Sequence, residues 1–373
     1  MMVRASLLMV RQFMYIRELK LDHFRNYDSL DLEFSSGTNL FYGDNAQGKT
    51  NILEAVYFCG TTRSHRTSRD SEMIRFGAGQ AHLRMEMCKP SMDYRIDMHL
   101  KEGKAKGIAI NMVPIRKAQE LIGLGHFIFF SPEDLGIIKN GPSERRRFLD
   151  MELCQLDQFY VSSLSAYNKV LQQRNRLLKD LSFRPQDMGT LDVWDEQLVR
   201  YGSHLIRARE KFAGRLGDII RPIHRKLSGG KEEIQTGYEK NTTPEHFAED
   251  VKNSREKDLF LKSTGCGPHR DDLRFMVNGI DIRKFGSQGQ QRSVALSLKL
   301  AEIELVKEST NDLPVLLLDD VLSELDTGRQ HYLLDSIGSI QTFITCTGLE
   351  EYQNSPVQID RIFHVSEGKV LSS

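Results

Sequence analysis

Cysteine is scarce and scattered. The five in the chain, Cys59, Cys88, Cys154, Cys266 and Cys346, form no CxxC pair, so the sequence offers neither zinc-ligand spacing nor a disulfide framework and fits a reducing, cytoplasmic setting. No sign of charge dominates either: 51 Lys plus Arg stand against 51 Asp plus Glu. Overall charge therefore announces neither a nucleic-acid nor a membrane partner, and any anion must be met by a local patch. Long apolar runs are also missing. The opening MMVRASLLMVRQFMYI is pinched between Arg4 and Arg11, too short for a signal-peptide core, and nothing elsewhere approaches a membrane-spanning length. Residues 1–13 read as a disordered extension or a misplaced start ahead of a strand pattern that starts at Met14. Repeats and low-complexity segments are absent as well. What is there, 373 residues with 39% hydrophobic content, suffices for a sizeable folded core.

Between Tyr15 and Phe41 the apolar residues come in short alternating runs (Ile16, Leu19, Leu21; Leu30, Leu32, Phe34; Leu40, Phe41) broken by SSGTN. This predicts strands leading into a glycine-rich loop. LRMEM, YRIDMHL and IAI, separated by KPSMD and KEGKAKG, predict an antiparallel meander. Beyond GPSERRR the period becomes helical. Leu149, Leu153, Leu156, Tyr160, Leu164, Tyr167, Leu171 and Leu178 form one stripe, and after SFRPQDMGT a second runs from Leu191 and Trp194 to Ile223 and Leu227. Two long helices joined by a short loop predict an antiparallel hairpin, with Pro222 kinking the second. Strand character returns at LRFMVNGIDIR, where Asn278-Gly279 has the chemistry of a type I′ turn. A helix from about Gln288 to Ser309 and the apolar strand VLLL follow. The order is head, helical insertion, head.

The strongest chemical signal is GDNAQGKT: Gly43, Asp44, Asn45, Ala46, Gln47, Gly48, Lys49, Thr50. It matches G-x-x-x-x-G-K-[ST] between a predicted strand and a predicted helix, the context that makes the pattern specific for ATP phosphates. Backbone N–H groups wrap the phosphates, Lys49 reaches the β- and γ-phosphates, and the Thr50 hydroxyl binds Mg²⁺. Asp319 and Asp320 end the strand VLLL, where acids face the phosphate loop of a parallel sheet. Asp319 is expected to hold Mg²⁺ through water and Asp320 to orient or deprotonate the attacking water; the bland alternative is an acidic turn.

Residues 227–231 read LSGGK, one substitution from the LSGGQ signature that ATP-binding cassettes lend across a dimer to a partner's γ-phosphate. A working signature opens the helix that leads to the Asp319 strand, because the N-terminus aims free N–H groups at the phosphate. LSGGK lies 319 − 228 = 91 residues before Asp319, too far for one helix and a turn, and precedes no apolar stripe. Its Gly229 fits the left-handed residue that ends a helix. SQGQQR fits better: it opens an apolar-faced helix 319 − 287 = 32 residues before Asp319. Ser287, Gln288, Gly289 and Gln290 thus take the signature role, with Ser287 acting in trans, although serine is also simply a good N-cap. SELD places Asp326 where a D-loop crosses the interface. Cassette proteins put a sensor histidine at the next strand, but TFITCT has Thr345 and Thr347.

FRNYDSLDLEF, YGDNAQGKTN, SHRTSRD, FSPEDLGIIKNGPSERRRFLD, GPHRDDL, FGSQGQQRSVALSLKLAE and LLLDDVLSELD together resemble the RecF family, in the family's order and over nearly the whole chain. The resemblance implies an α/β fold: a P-loop NTPase head of the ABC/SMC type with a mixed sheet, formed by 14–115 and 265–373, plus an inserted helical arm over 116–264. It further implies a weak DNA-stimulated ATPase of recombinational repair, replication and the SOS response. Such proteins close into a homodimer on ATP, bind single-strand/double-strand junctions without sequence preference, and work with RecO and RecR to help RecA displace single-strand-binding protein. Ala46 departs from similar loops, which often have glycine there; a positive φ would cost about 1 kcal/mol.

Arg63, Arg66 and Arg69 in one loop, the run Arg145, Arg146, Arg147, and Arg174, Arg176 and Lys179 on the first hairpin helix are candidate phosphate contacts. Solvated faces are the competing reading, and Arg66 could serve the nucleotide instead. Two other functions fit less well. A chromosome-compacting head needs far longer arms than helices of at most ~60 Å, and a transporter ATPase wants LSGGQ close to Asp319.

Overall fold

The computed structural model describes residues 13–181, 185–349 and 358–372; the first twelve residues of the expected extension lie outside them. The chain packs as two compact units, one formed by the segments up to Pro132 and from Val306 onward, the other by Glu133–Leu305.

The first unit opens with β1 (Tyr15–Phe24), β2 (Tyr27–Glu33) and β3 (Thr38–Tyr42), then helix α1 (Lys49–Thr61). The meander follows as β4 (Gln80–Cys88), β5 (Asp93–Lys101), β6 (Gly107–Ile110) and β7 (Val113–Pro114), and then β8 (Phe127–Phe130). Within the second unit come α2 (Leu135–Lys139), α3 (Pro142–Leu156), α4 (Gln158–Asp180), α5 (Thr190–Leu227), β9 (Ile234–Glu239), α6 (Phe247–Asn253), α7 (Arg255–Leu261), β10 (Asp272–Val277), β11 (Ile280–Asp281) and α8 (Ile282–Phe285). Helix α9 (Gln288–Thr310) returns the chain to the first unit, which ends with β12 (Val315–Asp319), α10 (Thr327–Ile337), β13 (Thr342–Cys346), β14 (Arg361–Ser366) and β15 (Lys369–Ser372).

Two six-stranded sheets build the first unit. One, in the order β2-β1-β4-β5-β6-β7, is antiparallel throughout. The other, β15-β14-β3-β13-β12-β8, is parallel except at β15. Helix α1 touches strands of both sheets, which explains why almost every residue from Ile52 to Thr61 is apolar or buried. Its one internal acid, Glu54, is fully buried against a two-pronged contact from Arg25 (2.7 and 2.8 Å) and the Ser64 hydroxyl. Phe34, Phe41, Phe343 and Phe363 form an aromatic cluster, with Phe41 stacked on Phe363 at 4.8 Å.

The second unit has its own core, in which Leu149, Tyr167, Leu198, Leu216, Phe247 and Leu298 are among the fully enclosed residues. Helices α4 and α5 run antiparallel, since Tyr160 meets Arg209 and Arg174 meets Asp195. The first helical stripe is not one helix. Asp157 interrupts it with φ −140°, and its carboxylate accepts from Phe159 N–H (2.8 Å) and Tyr160 N–H (3.1 Å) as the N-cap of α4. The apolar period continues across this break, so periodicity alone could not show it. At Asn278-Gly279 both φ values are positive, 50° and 77°, as a type I′ turn requires.

The expected domain limits and the packed units are drawn differently. Phe127–Phe130, placed by the sequence in the insertion, pairs in parallel with β12 in the head sheet, and 265–305 packs with the helical unit. A four-residue wholly apolar run is ambiguous between strand and buried helix. Among the described residues no helix is long and apolar enough to cross a membrane.

Candidate nucleotide site

The loop between β3 and α1 has the conformation that its sequence calls for. Gly43 adopts φ 147° with the Val365 carbonyl only 2.2 Å from where a Cβ would stand, so no side chain fits there. Gly48, at φ 115°, is the residue before α1. Ala46 sits at φ 65°, the left-handed region that costs a non-glycine residue about 1 kcal/mol. The loop is braced from outside: the Asn26 side chain donates to Gln47 O (2.9 Å), the Tyr27 hydroxyl to Gly48 O (3.1 Å), and Glu367 N–H to the Gln47 side chain (2.5 Å). Asp44, Asn45 and Ala46 are exposed at its tip.

Lys49 is buried, and its ammonium donates to the carbonyls of Gly43 and Asp44 (2.8 Å to the latter). Burial lowers its pKa, while Asp320, Asp319 and Asp44 pull the other way. At the end of β12, Asp319 Oδ1 accepts from Thr50 Oγ1 (2.8 Å) and from Thr345 Oγ1 (2.8 Å). Burial raises the Asp319 pKa, and the two hydroxyl donors oppose that shift. The Asp320 N–H donates to Thr345 Oγ1 (2.9 Å), and Asp320 holds a left-handed φ of 53°, a strained conformation of the kind found at functional positions.

Lys49, Thr50, Asp319 and Asp320 therefore meet in one place. Thr345 joins them on β13, where the sequence comparison looked for a histidine; only the parallel register Asp319↔Thr345 reveals its part. Thr50 and Asp319 offer two hard oxygen donors 2.8 Å apart, which suits a magnesium ion that keeps most of its waters. Arg25 and Asn26, which shore up α1 and the loop, also escaped the sequence reading; their signal was the FRNY stretch before β2.

Ser287 lies in the other unit, exposed, with Gln288 and Gly289 exposed beside it. It heads α9 in a reciprocal cap: Gln290 N–H donates to Ser287 Oγ (3.2 Å), and Ser287 N–H to the Gln290 side chain (3.0 Å). Asp326 caps α10 through Arg329 N–H (3.0 Å). LSGGK ends α5: Gly229 and Gly230 have φ 62° and 78°, and their N–H groups donate to Lys226 O (3.2 Å) and Arg225 O (2.8 Å), a Schellman stop.

The basic candidates separate by burial. Arg63, Arg66 and Arg69 are exposed, and Arg66 donates to Asn51 (3.2 Å) and lies close enough to Asp319 to favour its ionised form. Arg145 is 2% exposed, gripping Asp272 at 2.6 and 3.0 Å and the carbonyls of Ile137 and Asn140. Arg174 is fully buried among Asp195, Asp258 and Thr264. Neither has a face left for a phosphate. Arg146 donates to Asp271 O (2.8 Å), while Arg147, Arg176 and Lys179 are exposed.

A family model described as the RecF/RecN/SMC N-terminal domain matches residues 15–370. The DNA replication and repair protein RecF of Agathobacter rectalis is 57% identical over 357 residues, covering 96% of this chain and 99% of that protein. The chain belongs to the RecF family. RecF of Clostridium acetobutylicum is 43% identical over 363 residues, with the same coverage. A solved structure of the recombination mediator RecF with ATP, in the RecFOR pathway, superposes with a TM-score of 0.91 at 36% identity, over 98% of this chain and 99% of that one. The Smc head domain of Pyrococcus furiosus gives 0.57 at 18% identity over 96% of each chain, which bears on the fold alone: an SMC-type head.

Proposed function

We propose that this chain is an ATP-dependent DNA-binding protein of recombinational repair and replication that closes into a homodimer on ATP and hydrolyses it slowly, as a switch. The observation that carries the reading is the linked set Lys49, Thr50, Asp319, Thr345 and Asp320 beneath a braced phosphate loop. Lys49 donates to the loop's own carbonyls, and a β- or γ-phosphate oxygen offers it a stronger, charge-assisted acceptor. Thr50 and Asp319 are the residues to hold Mg²⁺, which when bound neutralises charge on the phosphates. Asp320 orients the attacking water, with its backbone fixed by Thr345.

Hydrolysis on this reading needs a second copy, whose Ser287 hydroxyl and Gly289 N–H at the start of α9 turn the positive end of the helix toward the γ-phosphate. Membership of the family, together with relatives named for replication and repair, supports DNA as the ligand and RecO and RecR as partners in RecA loading. Junction preference and stimulation by DNA belong to the same proposal. Phosphate contact falls to the exposed arginines, since Arg145 and Arg174 are internal. A chromosome-bridging role is disfavoured by the arm: α5, the longest helix at 38 residues, spans only about 57 Å.

The test is Lys49→Ala with sedimentation on gapped duplex. Losing a charge-assisted contact of about 1.5–3 kcal/mol weakens ATP binding by about 10- to 160-fold, and ATP-driven dimerisation and ATP-dependent DNA binding fall with it. A variant that still dimerises and binds DNA on ATP refutes the switch. Asp320→Asn should keep ATP binding and prolong the dimer; unchanged hydrolysis would remove Asp320 from its role.

A further inference from the structure

Phe76 is the most exposed large apolar residue among those described, with its side chain wholly in solvent. One exposed phenylalanine is ordinary on a protein surface; the way this one is held is not. The segment before it is pinned to the turn between β1 and β2: Arg25 N–H donates to Met73 O (2.8 Å), Arg75 N–H to His23 O (2.8 Å), and Phe24 bridges Ile74. Ala78 N–H then donates to Arg75 O (3.0 Å), closing a tight turn with Phe76 and Gly77 at its centre and Gly77 at φ 85°. The Arg75 guanidinium holds Asp28 at 2.6 Å, fixing the near side of the turn. Nothing stands within 4 Å of where a side chain at Gly77 or Gly79 would be, so the tip is open to a large flat partner.

The surroundings favour a nucleic acid as that partner. The same connection between α1 and β4 carries exposed Arg63, Arg69 and Arg75, and Arg69 has only a 3.9 Å approach to Glu72 to satisfy it. A braced aromatic on the same connection as exposed guanidinium groups is the combination that stacks on a base while the cations hold flanking phosphates. We propose that Phe76 is a wedge that stacks on the terminal base pair at a single-strand/double-strand junction, with Arg69 and Arg63 on the adjacent backbone. This rests on the DNA-binding reading above and gives junction recognition a residue.

The experiment uses the full chain with ATP, an overhang duplex carrying 2-aminopurine at the junction, and a blunt duplex of equal length. The unsubstituted chain should quench the 2-aminopurine. Phe76→Ala should lose about tenfold in junction affinity, the lower part of the range for one base–aromatic stack, together with the quench, and change less than twofold on blunt duplex. Phe76→Trp should keep junction affinity and show its own fluorescence quenched by the overhang. Equal losses on both duplexes, or none on either while the unsubstituted chain binds, overturn the wedge and leave the DNA-binding reading standing. Unchanged DNA binding with lost self-association also overturns it, making Phe76 a protein contact. Failure of the unsubstituted chain to bind either duplex at low salt sinks the parent reading and the wedge together.

Discussion

Ser228 and Ser287 sit in stretches of similar composition, LSGGK and SQGQQ, at opposite kinds of helix end. Ser228 follows the last turn of α5, where carbonyls point outward and the glycines turn the chain away. Ser287 precedes the first turn of α9, where N–H groups point outward. An anion is repelled by the first and attracted by the second. The two ends are also joined. Glu232, one residue past LSGGK, accepts from the Gln290 side chain (2.9 Å) and is hydrogen-bonded to His224 Nε2 (3.1 Å), whose other nitrogen meets Ser297 on α9 (2.9 Å). The residues flanking the stretch that looks more like a signature thus buttress the one in the better position.

The sharpest way to break this contrast is one arginine at each end. Ser287→Arg blocks the outward N–H groups with bulk and charge, so ATP-driven dimerisation should be lost and turnover fall by about 100-fold or more, the scale on which a preorganised donor acts. Ser228→Arg should leave both within twofold. If the two substitutions act alike, the contrast between helix ends has no functional content.

The interiors behind the two ends differ as well. On α5 the buried Arg209 is matched by Asp150 (2.7 Å), Tyr160 and Pro268 O. On α9 the buried Lys299 meets Asp134 (3.3 Å) and Glu302 (3.1 Å), with Glu152 also enclosed beside it, so carboxylates outnumber the cation. Burial pushes Glu152 up from 4.5 to about 7, against the pull of Lys299 and aided by Asp134. Between these values the folded chain holds a proton that the unfolded chain has released. This contribution therefore falls as pH rises from 4.5 to about 7, by about 1.4 kcal/mol per unit, and is flat above. Glu152→Gln should remove that slope, measured as the difference between the two chains in urea midpoints across the window. Parallel pH profiles would mean that Glu152 holds no extra proton in the folded chain and that Glu302, which burial beside it also pushes well up, holds it instead.

Much of the site was legible because it is local. G-x-x-x-x-G-K-T, the Asn-Gly turn and the glycine stop after Leu227 each occupy a few consecutive residues whose backbone needs dictate their types. What escaped depends on partners far along the chain. Arg145 reads as a member of a basic run, but the acid that buries it, Asp272, is 127 residues away. Thr345 became part of the site only through the register between β12 and β13. Asp157 splits an unbroken apolar stripe because capping competes with helix propagation, and the stripe records only which face is buried.

The smaller effects test the buttress itself. Gly230→Val forces a branched residue into φ 78° and should cost about 1–2 kcal/mol of stability without touching turnover at temperatures where the chain is folded. Glu232→Ala removes the acceptor shared by Gln290 and His224, a loss of about 1 kcal/mol from hydrogen bonding alone. The informative quantity is how that loss is distributed. If Glu232 only closes off α5, stability falls and ATP-driven dimerisation of the folded protein does not. If it holds the first turn of α9 in place, the dimerisation midpoint in ATP should shift by about threefold even well below the melting temperature, because Gln290 is the other half of the Ser287 cap. Sedimentation at fixed ATP, with thermal midpoints measured on the same samples, separates the two roles.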